Sequence, residues 1–71
     1  MIYDKNQQLV KMINQIAVNN AYDDDLERAA DAVASHVRKF WAKSMKQDIR
    51  SFAEAGGEGL NDIAKAAVNR I

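Results

Sequence analysis

His36, the run Asp23-Asp24-Asp25 and the turn Gly56-Gly57-Glu58-Gly59 are the parts of this chain whose residue types could do chemistry. His36 is the single histidine, and as a general base it would need a nucleophile and a group to orient it. No cysteine exists to activate, and Ser35, Ser44 and Ser51 stand in no elbow or triad context. The glycine turn invites comparison with phosphate-binding loops, but it lacks the lysine and hydroxyl of a P-loop, and no strand pattern precedes it. The aspartate run lacks the alternating oxygen ligands, central glycine and distal glutamate of a calcium loop. Absence of cysteine also excludes thiolate zinc and iron–sulfur ligation. The expectation is therefore no catalytic residue, no cofactor-binding residue and no metal ligand.

What these residues suit instead is holding another molecule. His36-Val37-Arg38-Lys39-Phe40-Trp41, then Met45, then the glycines gather the histidine, the sole tryptophan and all three glycines of the chain. Adjacent residues on a helix lie 100° apart, so Phe40 and Trp41 are hard to bury equally in a small domain, and one of them should face outward. An exposed aromatic beside Arg38 is a typical protein-interface combination. Gly56 suits the left-handed residue that closes a helix, and Gly57 and Gly59 let the chain reverse or let a partner backbone approach. The expected partner-binding set is thus His36, Arg38, Lys39, Phe40, Trp41, Met45, Gly56, Gly57 and Gly59.

Ten basic and ten acidic residues leave no net charge, so no global field attracts nucleic acid or an anionic membrane. The charges are nevertheless segregated. Residues 22 to 35 carry five acids against Arg28, a net of −4, and residues 36 to 50 carry five basic residues against Asp48, a net of +4. This sorting complements a helix dipole and keeps the chain soluble. It also leaves an alternative open: a small helical regulator binding nucleic acid through residues 38–50, with Met45-Lys46-Gln47 as its thin reading head.

A chain of 71 residues forms one domain, here residues 1–71. A domain of this size buries only about 60% of the surface its unfolded chain exposes, so it leans on a partner when disulfides and metals are unavailable. The hydrophobic fraction of 48% is too high for a disordered chain. The longest apolar run is three residues, short of the roughly 20 that span a bilayer, and the first residues lack the form of a secretory signal. A cytoplasmic location is the expectation.

Periodicity supplies the elements that position the surface. Leu9, Met12, Ile13, Ile16 and Ala17 share one face of a helix over about Lys5 to Asn19, with Asp4 as N-cap and Gln7 completing a capping box. Asn19-Asn20 should end it through asparagine's tolerance of the left-handed conformation. Leu26, Ala29, Ala30, Val33, Val37, Phe40 and Trp41 form a stripe about 120° wide on a second helix, from about Asp24 to Ala42. Ser44 should cap a third, whose inward face is Met45, Ile49, Phe52 and Ala53. Asn61 should cap a fourth, with Ile63, Ala64, Ala67, Val68 and Ile71 inward. No segment alternates like a strand, so the expected fold is all-α, a compact bundle of three to four short helices.

Leu9-Val10-Lys11-Met12-Ile13-Asn14-Gln15-Ile16-Ala17, His36-Val37-Arg38-Lys39-Phe40-Trp41, Met45-Lys46 and Gly56-Gly57-Glu58-Gly59-Leu60 occur in this order and at this spacing. Together they resemble the delta subunit of NAD-dependent, molybdenum-containing formate dehydrogenases, over about residues 9 to 68. That family usually has Asp-Pro after the tryptophan, where this chain has Ala42-Lys43, so its enforced helix break is missing. The resemblance implies an accessory subunit without cofactors. It would bind the alpha subunit, which bears molybdopterin and iron–sulfur clusters, and support its assembly or stability, as a permanent component or as an assembly factor. While that surface is empty, the isolated chain is free to self-associate.

Overall fold

The computed structural model describes residues 5–21 and 24–71, so Asp4, the expected first N-cap, and Asp23 lie outside the described residues. Four helices follow one another: α1 (Lys5–Asn19), α2 (Leu26–Phe40), α3 (Lys43–Glu54) and α4 (Asp62–Val68), with no strand among the described residues. The all-α bundle expected from periodicity is the observed fold. Its Cα radius of gyration, 11.3 Å, matches the roughly 11 Å of a compact domain of this length.

Each helix contributes its apolar face to one core. Leu9, Ile13 and Ala17 come from α1, Ala30, Val33, Ala34 and Val37 from α2, Ile49 from α3, and Ala64, Ala67 and Val68 from α4. Leu60 and Trp41, both outside helices, complete it. α2 and α4 pack on each other most extensively, and the small residues that they bury, Ala30, Ala34, Ala64 and Ala67, suit a close approach. Met12, Ile16, Met45, Phe52 and Ala53 are half-buried around this centre.

Helix ends hold one confirmation, at Asn61, one cap taken from the aspartate run, and two corrections. Asp25 caps α2 by accepting from the Arg28 amide (3.1 Å), and Asn61 caps α4 by accepting from the Ala64 amide (2.8 Å). α1 does not end through a left-handed asparagine, since no described non-glycine residue has positive φ. Instead the Asn20 side-chain amide donates back to the Ile16 carbonyl (2.8 Å), and the chain leaves through a tight turn. Ser44 is not the cap of α3 either. That helix starts at Lys43 behind Ala42, which offers no side-chain cap, so Ser44 sits inside the first turn.

The reason lies in Trp41. α2 stops at Phe40, and Trp41 and Ala42 are both extended (φ −85, ψ 141 and φ −63, ψ 153). This two-residue link folds the indole back into the core, where it is 7% exposed, and leaves Phe40 outside at 72%. With no proline in the chain, the break between α2 and α3 coincides with this buried ring. Lys46 donates to the Arg38 carbonyl (3.3 Å), meeting one of the carbonyls that the end of α2 leaves free.

α3 closes in a Schellman motif. The Gly57 amide reaches the Phe52 carbonyl (3.0 Å) and the Gly56 amide the Ala53 carbonyl (3.2 Å), with Gly56 at φ +125. Gly57 is at φ +62 and buried, and a Cβ there would stand 3.2 Å from the Leu60 side chain. Two of the three glycines are thus required by the turn itself.

Candidate docking surface

The surface follows from how α1 lies between its neighbours. On one flank of α1, Lys11, Met12, Gln15 and Ile16 meet His36 and Trp41 in a shallow, mostly apolar groove. On the other flank, Gln7, Val10 and Lys11 meet Phe52, Glu58 and Gly59. Lys11 belongs to both, so two grooves flank one exposed ridge of α1.

Beside the first groove stand two aromatic rings. His36 and Phe40 are four apart on α2, with centroids 4.9 Å apart and planes tilted by 48°. A solvent-exposed phenylalanine propped against an imidazole presents a fixed apolar knob. Trp41 lies beneath as part of the groove's lining, so of the adjacent pair it is Phe40 that faces outward. Lys39 is exposed next to it.

The other expected docking residues disperse. Arg38 is two positions from both His36 and Phe40, which turns it about 160° away on a helix. Its guanidinium donates to the Arg70 carbonyl (2.5 Å). Arg70 in turn pairs with Glu27 and with Asp31 (3.1 Å), so part of the acidic segment and one basic residue serve a clasp between α2 and the residues after α4. Met45 is half-buried against the core. Gly56 and Gly57 are committed to the end of α3, while Gly59 lines the second groove. With Arg38 and Lys46 both turned onto carbonyls of their own chain, residues 38–50 present a thinner basic stripe than their sequence implies.

Sequence reasoning missed the α1 side of the surface and the residue that holds it to the turn. Asn14 donates to the Gly59 carbonyl (2.8 Å) and accepts from the Asn61 amide (3.0 Å), bridging 45 and 47 residues of sequence. Asparagine is a poor choice in a helix interior, and that was the available signal for a side chain with work outside its own helix. Leu26, expected inward, is 44% exposed, because the stripe of α2 overhangs the core at its start as it does at Phe40.

Among the described residues, no group of three or more histidine, aspartate or glutamate side chains could hold a metal ion, and no helix is long and apolar enough to cross a membrane. The geometry brings together an apolar groove, an exposed aromatic ring and the exposed side chains of Lys11 and Lys39. Residues 8–68 match the family model of the NADH-dependent formate dehydrogenase delta subunit FdsD. No curated protein and no solved structure matches the chain.

Proposed function

The chain belongs to the FdsD family, the delta subunits of NADH-dependent formate dehydrogenase, and we propose that it binds the large molybdenum-containing alpha subunit of a cytoplasmic complex and supports its assembly or stability. The match over residues 8–68 carries the accessory role. A chain without cysteine is consistent with a non-catalytic part, since neither a thiolate-ligated cluster nor a molybdenum thiolate can be held by it.

We assign the contact to the α1–α2 groove with Phe40 as its central knob. Support comes from its exposure: a phenylalanine 72% open to solvent beside a largely apolar groove costs solubility unless something covers it. Hot spots of this type are few, aromatic and central. The test is co-purification. Affinity-tagged chain from its native host, grown on formate, should retain the molybdenum-bearing subunit, and Phe40→Ala should reduce retention at least tenfold while helicity is kept. Recovery of no such subunit by the unaltered chain would sink the accessory reading. Undiminished retention by Phe40→Ala would leave that reading intact and move the contact elsewhere.

A further inference from the structure

α2 runs past the core at both ends, and the two overhangs differ in sign. At its N-terminal end, Val18 (63% exposed), Ala21, Leu26 and Ile63 line an apolar depression with Asp62 at its edge. Asp24 and Asp25 precede Leu26 along the chain, while Glu27 after it is paired with Arg70 and Arg28 follows. At the C-terminal end, Phe40 stands beside the groove of Met12, Ile16 and Trp41, edged by Lys11 and His36, with Lys39 and Lys43 close by in sequence. No carboxylate lines that groove.

We propose that these two ends bind each other between copies of the chain when no other partner covers them. The acidic apolar end of one copy seats on the basic aromatic end of the next. Like ends meeting would set charges of one sign against each other, which disfavours a two-fold symmetric dimer. A contact between two different surfaces is heterologous, so each added copy leaves one end free and association continues beyond two.

The area available bounds the class of contact. The chain exposes 4857 Å² in all. A contact at the low end of the specific range takes about 600 Å² per copy, roughly an eighth of that surface. An interface of that size falls in the weak, transient class, so association belongs at high protein concentration. The proposal uses the face assigned above to the large subunit without depending on that assignment.

Analytical ultracentrifugation of the pure chain tests it. Between about 10 µM and about 1 mM the weight-average mass should climb past that of a dimer, and raising salt from about 50 to about 500 mM should reverse the climb. Two variants then separate the ends. Val18→Lys charges the acidic end at an exposed site in the last turn of α1, and Lys11→Glu with Phe40→Gln disables the basic end. Each alone should stay monomeric with unchanged circular dichroism. Mixed, they should form a 1:1 pair and stop there, because one intact end of each kind remains. A monomeric parent chain at about 1 mM, variants that associate like the parent, or a mixture that stays monomeric would each overturn the proposal. None of these outcomes touches the co-purification result.

Discussion

Phe40 and Trp41 are neighbours with opposite roles, and the consequence is measurable. Trp41→Ala removes a core ring, a change that typically costs about 3–5 kcal/mol. A 71-residue domain has only about 4–10 kcal/mol to lose, so this variant should lose roughly half of its stability and melt far below the unaltered chain by circular dichroism. Phe40→Ala should move the urea midpoint of the isolated chain by less than about 0.5 kcal/mol equivalent, as exposed positions do. Equal destabilisation by both would contradict the extended link at residues 41 and 42. The adjacency of the rings was readable from sequence, and so was the need for one to leave the core. Which one leaves depends on where α2 stops, and a buried indole decides that through tertiary packing that no local pattern encodes.

Among the elements, α1, α2 and α4 could be traced from periodicity and cap residues because their signals are local: Asp25 and Asn61 each cap the amide three residues on. The start of α3 could not, since Ser44 looks like a cap and the actual one, Ala42, has no polar side chain. The α1 half of the groove was hidden for a related reason. Met12 and Ile16 were seen as core, and they are half-buried, but their outer edges become a surface only once His36 and Trp41 are set opposite. Asn14 ties this arrangement to the glycine turn. Asn14→Ala leaves the Gly59 carbonyl and the Asn61 amide without that partner, and a loss of about 1–3 kcal/mol is expected in chemical denaturation. Asn61→Ala removes the α4 cap and should cost about 1 kcal/mol. Each bond between Asn14 and Asn61 joins one side chain to the other residue's backbone, so each substitution removes its own bond and the double variant should lose about the sum; a marked shortfall would show that the two sites are coupled.

At the scale of the whole molecule, one core shared by four short helices implies that they fold and unfold together. Partner binding should therefore protect helices that the partner never touches. With the large subunit at a hundredfold excess over Kd, amide exchange in peptides from α3 and α4 should slow by about 100-fold along with that of α1 and α2. Protection confined to α1 and α2 would mean that the bundle opens in parts. The chain's single tryptophan also makes the molecule its own reporter. Trp41 lies at the core's edge and lines the groove beside Phe40, so its fluorescence senses both the integrity of the bundle and the wetness of that groove. A ligand that displaces water there shifts the emission to the blue with the fold unchanged, whereas unfolding shifts it to the red. Two processes that most optical probes confound would move this one in opposite directions.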